Sequence, residues 1–303
     1  MSLESRARGV FLGLACGDAM GRPVEFKSAE HIAATHGSVT EMLGYGSHGQ
    51  PPGTITDDTE MALCIARSLA EHGRFVPDDV AARFVEWYQD GPFDIGMMTA
   101  DALRQLNNGS SWEVAGRTVW EHRSEGQNAG NGSVMRCAPY GVAYHDDPDT
   151  LVSVSRDSAA ITHYDPRCQY GSVVLNLTIA NILTGCENPL HSALEYIEGD
   201  APDELTSALA TVPDGVSEAE LQTNGYVVTT LQTALYYALT ADTTREAIVK
   251  TINRGGDADT IGAIAGAVAG ARHGPESLPS AWLDEIAERA ELETLAAELL
   301  KIS

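Results

Sequence analysis

Seven glycines set four apart constrain this chain more than any other feature. Gly9, Gly13, Gly17 and Gly21 lie near the N-terminus, and Gly262, Gly266 and Gly270 near the C-terminus. In a helix, residues four apart share a face, so each segment carries a smooth stripe. Glycine costs a helix interior roughly 1 kcal/mol per position relative to alanine. Its repeated use at one spacing therefore points to very close backbone packing, which explains the glycines without any chemical role. Stripes that face each other, or a common neighbour, would bring the two ends of the chain together.

Elsewhere, apolar residues recur at helical rather than alternating spacing, over 61–69, 80–88, 173–183, 227–239 and 248–252. Short polar punctuation separates these stretches, as in Asp90-Gly91-Pro92, Asn107-Asn108-Gly109 and His273-Gly274-Pro275. No pattern of paired strands occurs, and no linker or fixed-period repeat divides the sequence. The expectation is an all-α chain folded as one compact multi-helix domain over residues 1–303. The longest irregular stretches, 26–55 and 121–130, are long enough to suggest functional loops.

Charge narrows the possible partners. Asp and Glu number 43 against 19 Lys and Arg, a formal charge of −24, and lysine occurs only at Lys27, Lys250 and Lys301. Such a surface repels nucleic acid phosphates and anionic membranes, so neither is an expected partner. An anionic substrate would have to be drawn in locally, and bound metal ions can supply that attraction. Acidic excess with little lysine also suits a halophilic protein, kept soluble in concentrated salt where self-repulsion is screened. The five cysteines are widely spaced and form no CxxC pair, which indicates neither a disulfide framework nor a thiolate zinc site. With no signal-like N-terminal stretch and no membrane-length apolar run, a soluble, cytoplasmic monomer is expected.

Two acidic clusters stand out. Thr56-Asp57-Asp58-Thr59-Glu60 runs straight into the apolar helical stretch at Met61, and Gly255-Gly256-Asp257-Ala258-Asp259-Thr260 into another at Ile261. Taken singly, each reads as an ordinary helix cap, since an acid or threonine suits the positive end of the helix dipole. Adjacent acids are less well explained that way, because close carboxylates repel unless a cation sits between them. Together the clusters offer four carboxylates and two hydroxyls, all oxygen donors that suit Mg²⁺ or Mn²⁺ better than zinc. Spacing alone does not establish that the clusters meet. Two further glycine motifs differ in promise. Gly44-Tyr45-Gly46-Ser47-His48-Gly49 formally fits GxGxxG but leads into Gln50-Pro51-Pro52 instead of a helix, so a dinucleotide fold is discarded. Gly130-Asn131-Gly132-Ser133 sits ahead of an apolar stretch, where backbone N–H groups at a helix start can hold an anion.

An ordered set of motifs resembles the ADP-ribosylglycohydrolase family, closest to its dinitrogenase reductase-activating branch. It comprises the segment Gly9 to Gly21 with Val24-Glu25-Phe26, then Thr56-Asp57-Asp58-Thr59, Gly130 to Arg136, Thr162-His163, and Gly255 to Thr260. The similarity runs from about Arg6 to about Trp282. No single motif is specific, but their order is. The resemblance implies an all-α fold with two divalent ions, Mn²⁺ or Mg²⁺, at the base of a cleft, held by Thr56, Asp57, Asp58, Asp257, Asp259 and Thr260. Glu25, Asp94, Asp58 and Asp257 are the implied catalytic residues, with Glu25 activating a water or serving as a ligand that yields to substrate. Asn131, Gly132, Ser133, His163 and Tyr226 would contact ADP-ribose.

Each of these has an ordinary alternative. Glu25 could be a surface acid, Asp94 a cap before Met97, His163 a structural histidine, and Tyr226 a core residue. The implied activity is release of ADP-ribose from a modified acceptor, an arginine on a protein if Asp94 meets the guanidinium as a bidentate partner. An ADP-ribosyl-serine or O-acetyl-ADP-ribose linkage, or a non-catalytic ADP-ribose-binding relative, are the alternatives. GxSxG is absent, and no serine or cysteine nucleophile is called for.

Overall fold

The structure is a computed structural model describing residues 1–302. Its helices are α1 Leu3–Gly21, α2 Ala29–His36, α3 Asp57–His72, α4 Pro77–Gln89, α5 Met97–Asn107, α6 Trp112–His122, α7 Ala138–Ala143 and α8 Pro148–Ala160. They continue with α9 Pro166–Leu183, α10 Pro189–Tyr196, α11 Asp203–Leu209, α12 Val227–Thr240, α13 Thr244–Ile252, α14 Ala258–His273, α15 Ser280–Glu285 and α16 Arg289–Leu299. Among the described residues extended pairing is limited to isolated bridges, so the all-α reading holds.

At the centre lie α1 and α14, buried from Gly9 to Gly21 and from Ala258 to Ala271. They run antiparallel with the stripes face to face: Gly9 lies on Gly270, Gly13 on Gly266 and Gly17 on Gly262. A methyl group added at Gly17 would stand 2.0 Å from the Gly262 carbonyl oxygen, so only hydrogen fits there. One turn further on, Gly21 meets the carbonyl of Ala258, the first residue of α14. The end of α1 is thereby fixed against the start of α14, where the second acidic cluster sits. Helices α9, α12, α13, α3, α7 and α16 pack around this pair.

The 26–55 stretch contains more order than its sequence announces. Helix α2 forms inside it, capped by Ser28, whose hydroxyl accepts the His31 N–H at 3.2 Å. It buries only Ile32, so no apolar stripe marks it in the sequence. The rest of the loop is anchored from below by the fully buried Arg22. Its guanidinium donates to the carbonyls of Thr54 (3.0 Å), Tyr45 (3.1 Å) and Pro51 (2.8 Å). No helix among the described residues is long and apolar enough to cross a membrane. All five cysteines are free thiols, and all but Cys186 are buried.

Candidate active site

The two acidic clusters meet. Thr56 caps α3 and Asp257 stands at the N-terminal flanking position of α14, so both expected helix starts exist. Their side chains do more than cap. The Thr260 hydroxyl donates to Asp58 Oδ2 at 3.3 Å, and the Thr56 hydroxyl reaches the same oxygen at 3.2 Å. Asp257 makes no side-chain cap; its Oδ2 accepts from Asn131 Nδ2 at 2.8 Å. Asp57, Asp58, Asp257, Asp259 and Thr260 line one cavity of about 500 Å³, together with Glu25, Asp94, Gly130 to Gly132, His163 and Tyr226.

Asp18 and the Gly255-Gly256 turn set this geometry. Asp18, on α1, accepts the backbone N–H of Thr56 at 3.0 Å and of Thr59 at 3.2 Å, and the Thr59 hydroxyl as well. A carboxylate on one helix thus satisfies the start of another, as the positive end of the α3 dipole favours. The Gly255-Gly256 turn positions Glu25. Both glycines have positive φ, and Gly256 pairs with the 26–27 segment through Phe26 N–H to Gly256 O (2.7 Å) and Gly256 N–H to Lys27 O (2.8 Å). That pairing places Glu25 beside the second cluster.

The electrostatics are those of a cation site. Burial, reinforced by neighbouring acids, holds the carboxyls of Asp57, Asp58 and Asp259 well above the ordinary range. Glu25 is pushed up to about 9, first by burial and then by Asp94. Burial lifts Asp18 to about 6 against its own hydrogen bonds. The basic side chains of the region are engaged elsewhere: Arg22 under the loop, Arg123 on Asp101 and Arg136 on Thr162. Asp58 Oδ1 is buried with no hydrogen-bond partner. Converging oxygen donors, an orphaned carboxylate oxygen and no balancing guanidinium fit a hard divalent cation. Donor atoms of Glu25, His48, Asp94 and Asp259 also lie within 4.8 Å of one another, a second group of candidate cation ligands.

Several sequence expectations need adjustment. Gly130 to Ser133 does not open onto a helix: turns fill residues 132–136, and α7, only six residues long, begins at Ala138. Asn131 N–H donates instead to Gly225 O at 3.1 Å, which secures the turn against the residues before α12. The Ser133 hydroxyl points away from the cavity, donating to the Cys168 carbonyl at 3.3 Å. Asp94 caps nothing, since Gly96 holds that position at α5 without a side-chain bond. Tyr226 is half-buried and lines the cavity, its ring 5.6 Å under the Arg167 guanidinium. His163 is fully buried, with Nδ1 2.8 Å from the Thr162 hydroxyl, and burial depresses its pKa to about 3, so the ring is neutral. A methyl group at Gly132 would collide with that ring at 2.7 Å, which explains the glycine.

His48 was not legible as a site residue. It lies on the discarded Gly44 to Gly49 motif, and its Nε2 is hydrogen-bonded to the Glu25 carboxylate and 3.7 Å from Asp94 Oδ2. Its neighbour Ser47 donates to the Glu25 carbonyl at 2.6 Å. Asp18 carried a faint signal, a lone acid within an apolar helix, which must find partners if buried.

Fold and cleft define a class: an all-helical protein whose two acidic clusters, far apart in sequence, join to place an acid-lined floor, a candidate cation site, beneath one cavity. The chain belongs to the ADP-ribosylglycohydrolase family, whose model matches residues 1–303. It is 35% identical over 297 residues to the ADP-ribosyl-[dinitrogen reductase] glycohydrolase of Rhodospirillum rubrum, covering 96% of this chain and 94% of that one. It is 31% identical over 306 residues to the ADP-ribosylarginine hydrolase Tri1 of Serratia proteamaculans, covering 97% and 78%. The ADP-ribosylhydrolase ARH3 of Homo sapiens is 27% identical over 351 residues, covering 98% and 93%. A solved structure, an ADP-ribosylglycohydrolase-related protein complex, matches at a TM-score of 0.83 and 35% identity over 100% of this chain and 99% of that one.

Proposed function

We propose that this chain hydrolyses the N-glycosidic bond between ADP-ribose and an arginine side chain of a modified protein, in the cytoplasm, with two Mn²⁺ or Mg²⁺ ions bound. The observation that carries this reading is the pair of acids on the cavity wall, Glu25 and Asp94, beside the joined clusters. A guanidinium leaving group is cationic and planar, and a carboxylate meets it with paired hydrogen bonds. The relatives named for ADP-ribosylarginine and ADP-ribosyl-dinitrogen reductase support the same linkage.

Thr56, Asp57, Asp58, Asp257, Asp259 and Thr260 would hold the ions, which when bound supply Lewis acidity toward ribose hydroxyls and water. The chain's own residues do the rest. Asn131 fixes Asp257 through its amide and so holds the floor in register with the Gly130 to Gly132 turn. That turn, with no side chain at Gly130 or Gly132, lets a diphosphate approach the backbone. Neutral His163 lies beneath it, and Tyr226, its ring under the Arg167 guanidinium, offers a surface to the adenosine. Asp94, on the wall beside Glu25, orients the guanidinium. A water attacks the anomeric carbon of the distal ribose and the carbon–nitrogen bond to arginine breaks. Glu25, which the bound cations would hold ionised, takes the proton the water loses and returns it to the arginine nitrogen, which leaves with the bonding pair.

Product analysis with ADP-ribosyl-arginine and ADP-ribosyl-serine peptides, with and without added Mn²⁺, tests the proposal. Mn²⁺-dependent release from arginine, reduced about 100-fold or more in Asp94→Asn with serine release unaffected, is the expected result. Equal cleavage of both linkages in both proteins would sink the arginine assignment.

A further inference from the structure

Among the described residues eight large hydrophobic side chains are exposed, and four of them flank the converging Glu25, His48 and Asp94: Phe26 at 73%, Tyr45 at 67%, Phe93 at 39% and Met97 at 77%. Each is tied to the acidic wall. Phe26 follows Glu25, Phe93 precedes Asp94, and Phe26 and Met97 line the cavity lip. Tyr45 opens the turn that carries His48, and the Phe93 ring lies 5.7 Å from the His48 ring.

Two of the four are held at a conformational cost. Among the described residues, Phe26 (φ 60°) and Tyr45 (φ 68°) are the non-glycine positions with positive φ. Left-handed backbone is unfavourable for bulky side chains and persists only where the surroundings impose it. Here hydrogen bonds impose it, through Phe26 N–H on Gly256 O and the Arg22 guanidinium on Tyr45 O. Both strained residues display an aromatic ring in solvent, where no folding gain from burial offsets the strain. Strained, exposed aromatics beside a catalytic cleft are surfaces for a partner.

We infer that Phe26, Tyr45, Phe93 and Met97 form a docking rim for the polypeptide that carries the modified side chain, a segment with basic residues flanking the modified arginine. The inference rests on the arginine reading above and deepens it. Charge complementarity selects the occupant: the rim encloses Glu25 and Asp94 in a chain of formal charge −24. Basic side chains lay alkyl stems on apolar rings and turn their cations to aromatic faces and carboxylates. The rim residues adjoin Glu25, His48 and Asp94, the wall assigned above to the bond to arginine, so the rim meets the acceptor.

The test uses the full chain with Mn²⁺ and the double variant Tyr45→Asn, Met97→Gln; asparagine tolerates positive φ. Substrates are free ADP-ribosyl-arginine and a peptide with ADP-ribosylated arginine between basic residues. The variant should lose about tenfold or more in kcat/KM for the peptide, while free ADP-ribosyl-arginine stays within about twofold. Equal losses on both substrates, or none on the peptide, overturn the rim. Calorimetric binding of the same peptide without its ADP-ribose separates the rim from the linkage. If the wild type cleaves no arginine linkage yet binds this peptide, and the variant does not, the linkage reading fails and the rim stands. If the peptide fails to bind, or binds both proteins alike, the rim is wrong whatever the linkage.

Discussion

The Thr260 hydroxyl lies 3.3 Å from Asp58 Oδ2, across a sequence separation of 202 residues. That contact joins the start of α3 to the start of α14, and the packing of α1 on α14 makes it possible. Close backbone approach is therefore part of the active site's construction. It predicts that a single methyl group far from the carboxylates disrupts them.

Gly17→Ala is the sharpest such change, since its Cβ would stand 2.0 Å from the Gly262 oxygen and 2.4 Å from the Gly262 carbonyl carbon. Backbone cannot rotate aside as a side chain can, so the helices must separate. Urea denaturation should show a loss of about 3 kcal/mol or more, at the upper end of overpacking costs. A loss below about 1 kcal/mol would mean that the helix pair tolerates separation.

Buried carboxyls without counter-ions make an unusual pH prediction. Asp57, Asp58 and Asp259 are held well above the ordinary range, with Asp18 at about 6 and Glu25 at about 9, burial being the first cause in each. A carboxyl whose pKa is raised by folding holds its proton more tightly when folded. Its stabilising contribution is complete below the unfolded value and is lost as pH climbs through the folded one. Chelator-treated protein should therefore melt at lower temperature at about pH 8.5 than at about pH 6, by several degrees at about 2–4 °C per kcal/mol. Mn²⁺-loaded protein should lose much less over the same interval, because bound cations stabilise the ionised acids. Stripped protein that gains stability across this interval would contradict the assignment.

His48 is expected to act through Glu25. It stands beside the cavity wall and hydrogen-bonds to the carboxylate, so its removal frees Glu25 without removing a substrate contact. His48→Ala should lower kcat about 10–100-fold with KM little changed, a typical cost for a residue that orients another. Partial recovery in His48→Gln, which keeps a donor, would mark the effect as positioning. A raised KM at unchanged kcat would instead make His48 a substrate contact.

What the sequence reveals follows from periodicity and from chemistry that is costly unless used. Glycines four apart are expensive in a helix, so Gly9 to Gly21 and Gly262 to Gly270 announce the central pair. Close acids repel, so Asp57-Asp58 and Asp257-Ala258-Asp259, taken together, mark a candidate cation site. Helix α2 escapes because it buries one residue, Ile32. His48 escapes because its role depends on where Arg22 pins a glycine-rich loop, a tertiary contact with no local signature. The Gly130 to Ser133 turn looks like a helix start because glycine and serine favour one, yet its backbone is committed to Gly225, just before α12.

The central claim is that one cation centre is built jointly by the clusters at the two ends of the chain. Calorimetric titration of chelator-treated protein with Mn²⁺ tests it directly, on wild type, Asp58→Ala and Asp259→Ala. Each substitution alone should abolish or severely weaken Mn²⁺ binding and ADP-ribose release together. If either variant binds Mn²⁺ as the wild type does and still releases ADP-ribose at the wild-type rate, the two clusters do not form one centre and the account is wrong.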